Sequence, residues 1–415
     1  MPTPSLLIVP ARFKTGRLYS QIPTSGGDFT VTRATAATRV DASGFIESVA
    51  SGIPRLDYFA SGGTVGCPAL LVEPSAQNLA LQSENFGTTW SPNQLIAFGS
   101  GSVLNTTGTL DPYGTNVSDL IVASTVSGVQ HRIDQTTTSA SGSYTFSVFV
   151  KAAGYNFTWL RIGTVGAFFN LSNGAITGTS AGIVASSQNY GNGWYRCIIS
   201  KASSSANEVL RINIIQTDGV TDFAGDGTSG IYVFGAQYET GTVATSYIPT
   251  TTAAVTRNAE VVSVSGAVSG SIGQASGTIY AEVDIRNLTN ADSVRIVSLT
   301  TTTNSNNFIE ITKRSSTQLR CDARLNSGST ITFLTVSGFV LGVNKIAFAY
   351  QDGNYAMAIN GAVTTSAQAG MTSSLNTIIL GAAGSNIAQF NDRIRAAALY
   401  TTRLSNAELA ALTTP

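Results

Sequence analysis

KIAFAYQDGNYAMAING, residues 345–361, decides the fold. Asp352-Gly353 is a two-residue hairpin signal. With that pair at the tip, Tyr350 faces Tyr355, Phe348 faces Met357 and Ile346 faces Ile359. All six large side chains then share one face, and a slip of one residue would break every pair. The same grammar recurs upstream. In TIYAEVDI (278–285), Ile279, Ala281, Val283 and Ile285 alternate. In YTFSVFV (144–150), Tyr144, Phe146, Val148 and Val150 share a face, as do Leu210, Ile212 and Ile214 in LRINII (210–215). GIYVFGAQYE (230–239) is apolar on both faces, as a central strand is. Runs of this kind, bounded by Gly, Asn and Ser clusters and without helical period, predict an all-β chain of sandwiches. The exception is LSNAELAAL (404–412), where Ser405 and Glu408 form a capping box and predict a short helix.

Composition narrows the class. The chain has 415 residues, 43% of them apolar, so sizeable cores can form. Only 11% are charged, against about 25% in ordinary domains. Ser, Thr, Asn and Gln must carry solubility. Lys plus Arg and Asp plus Glu balance at 23 each, and no basic block exists, so nucleic acid is not an expected partner. The longest apolar runs, such as LLIV (6–9) and ALLV (69–72), are far short of the ~20 residues of a spanning helix, so membrane insertion is not expected. MPTPSLLIVPARFK lacks the parts of a signal peptide. Cys67, Cys197 and Cys321 are odd in number and widely spaced, which predicts buried free thiols rather than disulfides or a metal knuckle.

Four segments are expected. Residues 1–83 are turn-rich and read as a connecting segment that cannot close a core alone; 84–260 read as a first sandwich. The small, uncharged VVSVSGAVSGSIGQASG (261–277) reads as a linker or a loosely packed crossing strand, and 278–415 as a second sandwich.

A family resemblance rests on ordered motifs: TRATAATRVDASGFIE (32–47), IPRLDY (53–58), CPALLVEP (67–74), NLALQSENF (78–86) and Trp90. Then come SYTFSVFVKA (143–152), GNGWYRCIIS (191–200), GDGTSGIYVFGAQYETG (225–241) and TSYIPTTTAAVTRNAE (245–260). This series resembles bacteriophage head spike and tail fibre proteins whose jelly roll is similar to carbohydrate-binding modules. The chain departs from the pattern at Phe45, where Leu is common, and at Ser75-Ala76-Gln77, where Gln-Arg-Thr is usual. From residue 278 onward the hairpin ending in Ile359-Asn360-Gly361 and the run FNDRIRAAALYTTRLSNAEL (390–409) carry a resemblance to concanavalin-like or laminin-G-like sandwiches, with Asp392 in place of a glycine before the last strand. The resemblance implies a virion-surface protein assembled in the host cytoplasm, a homotrimer with other virion proteins as partners, and a host surface glycan as ligand. A capsid or tail decoration protein without ligand, and a polysaccharide depolymerase, are the rival readings.

The chemistry available is limited. His131 is the one histidine, and no G-x-S-x-G elbow occurs, so Ser-His or Cys-His catalysis has little to work with. Carboxylate pairs hydrolyse glycosides without histidine, but Glu47, Glu73 and Glu84 fall in the fibre-like segment, where the resemblance implies a structural role. No catalytic residue and no cofactor is expected. In YNFTWLRI, Tyr155, Phe157, Trp159 and Arg161 alternate onto one face, the pattern of a sugar-stacking platform and equally of a filled core. Asp222 and Asp226 in DFAGDGTSG could hold a structural calcium or simply close an Asx-turn.

Overall fold

The computed structural model of the chain describes residues 2–23, 26–59, 65–96, 109–266, 268–286, 293–301, 304–324, 330–370, 374–383 and 389–415. The described residues are nearly all β, with one short α-helix, Asn406–Thr413, and a 3-10 turn at Ser269–Ser271. The helix begins as its sequence requires, with Ser405 accepting from the Glu408 N–H and the Glu408 side chain reaching back to the cap. The Asp352-Gly353 hairpin takes the register set out above, Ile346 opposite Ile359 and Phe348 opposite Met357. Its tip is closed by the Asn354 N–H donating to Gln351 O at 2.8 Å, and Gly353 takes a φ of 66°, which glycine adopts without a Cβ clash. The large residues of the hairpin enter the core. Its alanines at 347, 349, 356 and 358 form the opposite face, packed with Leu404 and Leu409 of the C-terminal helix region.

Two sandwiches are present. The first has a six-stranded antiparallel sheet in the order Ser91–Asn93, His131–Thr136, Val209–Ile215, Phe157–Ile162, Val165–Asn170, Ile176–Thr179. Facing it is a five-stranded sheet in the order Asp119–Val122, Gly230–Thr240, Gly142–Ala153, Trp194–Ser204, Ile183–Gly191. Tyr144, Phe146, Val148 and Val150 meet Leu160, Leu210, Ile212 and Ile214 between them. The five-stranded sheet is buried on its other face too, where Phe149, Trp194, Phe234 and Tyr247 pack with Ile46 of the N-terminal segment. That burial on both faces is why the run 230–236 is apolar throughout.

The second sandwich draws on both ends of the chain. In one sheet, Ser276–Ile285 and Asp392–Tyr400 pair, and Asp392–Tyr400 also receives Leu6–Ile8 and Val65–Val72. In the facing sheet, Val261–Ser265 lies between Phe29–Thr32 and Thr377–Leu380. Val261–Ser265 is therefore a core strand here rather than part of a linker. Val262, Val264, Val268 and Ile272 are all in the core. The Val-Ser-Val-Ser run is low in complexity but has the period of a strand. Cys197 and Cys321 are buried, whereas Cys67 is exposed.

The first sandwich is thus inserted into the second. The chain leaves along Ala76–Asn78 and returns along Val255–Arg257, the two paired antiparallel. Beside this crossing five buried charges meet. Arg55 Nε is 2.7 Å from Glu260 Oε1 and its Nη2 is 2.8 Å from Glu73 Oε2. Arg33 Nη1 is 3.1 Å from Glu260 Oε1, and Arg257 Nη1 is 3.2 Å from Glu73 Oε2. The surplus positive charge is met by carbonyls, since Arg33 also donates to Thr35, Ile53, Val49 and Ala50. Burial pushes the Glu73 carboxyl up, but Arg257, Arg55 and Ser246 outweigh it and hold it well below the usual range.

Two outcomes follow from this construction. Glu260→Gln leaves three guanidiniums facing one carboxylate and should lower stability by about 3–5 kcal/mol in urea denaturation. A fragment of residues 278–415 lacks the central strand Val261–Ser265 and should not keep a cooperative melt by circular dichroism; a sharp transition would contradict the shared core.

Candidate functional site

The outer face of the six-stranded sheet gathers the aromatic residues that the sequence places on one strand. In Phe157–Ile162 the half-buried Phe157, Trp159 and Arg161 alternate with buried Thr158, Leu160 and Ile162. Inner and outer positions are thereby fixed by the period of two. Tyr155 does not join this face. The chain crosses between sheets at Gly154, with a φ of 104°, and the strand starts only at Phe157, so the alternation is broken. The Tyr155 ring turns into the core, edge-on to Phe223 at 5.4 Å.

Strand pairing adds residues that one strand cannot reveal. Trp159 lies opposite Phe168 on one side and Asn213 on the other, and Asn213 lies opposite Arg132. The next rung on this face runs Asp134, Arg211, Arg161. Trp159 and Phe168 stack with centroids 4.9 Å apart and planes 10° apart. The Arg161 guanidinium lies 4.1 Å over the Trp159 ring. The indole is therefore flanked by Phe168 and Arg161, and a ligand approaching from solvent meets the edges of a stacked block. Among the described residues, Trp159 Nε1, Arg161 Nε and Asn213 Oδ1 have no hydrogen-bond partner. Each such shielded group costs about 1–3 kcal/mol.

Charge on this face is one-sided. The six strands carry Arg132, Arg161 and Arg211 against one acid, Asp134. Arg132 Nε donates to both Asp134 oxygens at 3.1 Å, and Arg211 Nε stands 3.7 Å from Asp134 Oδ1. Arg211 also donates to Gly163 O. Burial and then the fields of Arg211 and Arg132 push the Arg161 guanidinium down to about 10. It stays charged at neutral pH.

The other candidate residues are placed in the framework. His131 is buried on the inner side, its ring nitrogens 2.6 Å from Gln94 O and 3.0 Å from Phe223 O. Asp226 accepts from the Thr228 and Ser229 N–H groups and the Ser229 hydroxyl, the geometry of an Asx-turn. Asp222 accepts from the Thr221 hydroxyl. Among the described residues no three of His, Cys, Asp or Glu come together as metal ligands do. Glu47 pairs with Arg39, and Glu84 accepts from the Tyr247 hydroxyl.

Several concavities lie at the junction of the sandwiches among the described residues. One encloses about 60 Å³ and is lined by Asp57, Tyr190, Arg196, Asp392 and Arg393, among others; it is too small for a sugar ring. Its acids are engaged, Asp57 by Arg393 Nε at 2.7 Å and by the Val40 N–H, and Asp392 by the Arg286 N–H. Another, about 350 Å³, is bordered by Phe59, Asn189, Arg286 and Leu341. Burial pushes the Asp392 carboxyl up to about 7 against the pull of Arg393. An acid raised by folding takes up a proton on folding between its unfolded value, about 3.9, and the folded one. Stability from this group is therefore present at low pH, falls as pH rises across that window, and levels off above it. Asp392→Asn should remove that slope and be more stable than the parent at pH 8, as read by urea titrations from pH 4 to 8.

No protein-family model matches the chain, and no curated protein matches it. Solved structures similar to it include the CBM40 domain of the Ruminococcus gnavus IT-sialidase, seen with alpha2,3 sialyllactose, at 20% identity and a TM-score of 0.30, over 34% of this chain and 84% of that one. The same domain without ligand aligns over 34% of this chain and 85% of that one, again at 20% identity and TM-score 0.30. NanB sialidase from Streptococcus pneumoniae is similar at 16% identity and TM-score 0.31, over 37% of this chain and 27% of that one, so the chain spans about a quarter of that enzyme.

Proposed function

We propose that the chain is a structural and adhesive protein of a bacteriophage particle, a fibre or spike on head or tail that touches host surface glycan and performs no catalysis. One observation carries the adhesive part: Phe157, Trp159, Phe168 and Arg161 stand together on the outer face of a sandwich sheet. Aromatic rings contact the apolar C–H faces of sugars, and arginine donates to their oxygens. The virion part is supported by the ordered fibre-like motifs. Their charged residues Arg33, Arg55, Glu73, Arg257 and Glu260 are the buried framework of the crossing, a structural use that needs no reaction. A shallow sheet face binds one sugar weakly. A homotrimer held by other virion proteins multiplies that affinity, because each bound copy raises the effective concentration for the next.

Trp159→Ala should abolish binding on a glycan array while lowering stability by no more than about 1–2 kcal/mol, since the ring packs mainly on other outer-face side chains. Light scattering should give three times the chain mass, and the wild type should release no reducing ends from bound polysaccharide. Reducing ends would replace the adhesin with a depolymerase. Wild-type protein that binds no glycan would leave a decoration protein.

A further inference from the structure

The donors of the outer face converge on an acceptor too weak for them. Gln130 Oε1 accepts from Arg132 Nη1 and Arg161 Nη1 at 3.3 Å each and from Asn213 Nδ2 at 3.4 Å. These bonds are long, against a usual N–H···O distance of about 2.9–3.0 Å. An amide oxygen has two lone pairs and no charge, so three donors, two of them cationic, are poorly served. Asp134 cannot help, because Arg132 holds both its oxygens and Arg211 stands beside it. Arg161 is left without a carboxylate, and its Nε has no partner among the described residues. The surplus of two positive charges on this face sits on a chain whose formal net charge is zero.

We propose that this face selects an acidic sugar, whose carboxylate takes the place of the Gln130 amide oxygen between Arg161 and Arg132 while its ring lies along the Trp159–Phe168 block. The inference rests on the glycan-binding reading and adds the chemical class of the ligand. A carboxylate brings two oxygens and a negative charge to planar guanidiniums, the geometry arginine serves best. A neutral sugar would supply only hydroxyls to the same donors and leave the surplus charge unmatched. Two kinds of sugar carry this group, a uronic acid within a polysaccharide and a terminal sialic acid.

The test uses the full chain and matched probes: sialyllactose against lactose, and a glucuronate-containing oligosaccharide against its neutral glucose counterpart, titrated calorimetrically at low and high salt. At least one acidic probe should bind about tenfold tighter than its neutral match, with the preference shrinking as salt screens it. The responding probe names the source. Arg161→Gln should bring the ratio of acidic to neutral affinity to within about twofold. Gln130→Glu places an internal carboxylate where the donors meet; it should raise the melting temperature and abolish the acidic preference. This second variant keeps the test decisive if Arg161→Gln folds poorly. Equal binding of acidic and neutral probes, lost in Trp159→Ala, would overturn the acidic selection and leave glycan binding standing. Binding of neither kind by wild type would remove both. Gln130→Glu with an unchanged melt and undiminished acidic preference would overturn the proposed seat.

Discussion

Five charged side chains meet out of contact with solvent where the chain leaves one sandwich and returns to it, and the architecture depends on them. Arg33, Arg55 and Glu73 arrive from the first strands; Arg257 and Glu260 arrive after an excursion of more than 180 residues. Burying such charges is costly, and apolar residues of the same volume would often be more stable. What the charges add is a position. Glu260 is reached by Arg33, Arg55 and Arg257 and also accepts the Glu73 N–H at 3.0 Å. A strand shifted by one residue would strand a charge in the core. Ser246, at the far end of the inserted sandwich's last segment, completes the set by donating to Glu73 from its N–H and hydroxyl. The network therefore fixes the inserted sandwich to its host as well as the two crossing strands to each other.

That attachment decides which surfaces remain for a ligand. The N-terminal segment brings Ile46 against Phe149, Trp194, Phe234 and Tyr247, so the five-stranded sheet is covered on its outer side. Phe59 is held at the junction between Tyr190, at 4.6 Å, and the guanidiniums of Arg286 and Arg393. The six-stranded sheet faces the other way. Its outer side chains are half-buried chiefly by one another, with Arg132 and Asp134 at 20% and 21% side-chain exposure. The aromatic block and the arginines are thus preorganised, so less conformational entropy would be lost if the proposed ligand binds there.

Local pattern made the fold class, the Asp352-Gly353 register and the Ser405 cap legible, because each depends on residues a few positions apart. The course of the chain was not legible. Val261–Ser265 is a central strand only because Phe29–Thr32 and Thr377–Leu380 flank it, and such pairings leave no mark in the segment itself. Only the single-strand part of the candidate face was readable for the same reason. Phe157, Trp159 and Arg161 follow from alternation, and Tyr155 was lost to a crossing that alternation cannot foresee. Arg132, Phe168, Arg211 and Asn213 come from other strands, and Gln130 from the residue before His131–Thr136. The one available signal was the polar side of LRINII and HRIDQT, whose apolar members already pointed inward.

The scarcity of charge makes its placement informative. With 11% of residues charged, the surface is kept soluble by neutral polar groups, and an arginine that serves no ion pair is not part of a general charged coat. The crossing network uses three arginines and satisfies the surplus with carbonyls. The outer face also has three; there Arg211 has the Gly163 carbonyl, while Arg132 and Arg161 share the Gln130 amide. Carbonyls close the first site to outsiders, since Arg33 is wrapped by four of them. The second remains an open set of donors beside a stacked ring pair. A positive patch on a neutral molecule acts over about 8 Å at physiological salt, enough to orient an acidic chain before the rings make contact. In the proposed reading charge and stacking divide the work: the first would select and orient an acidic sugar, and the second would hold its ring in register along the sheet.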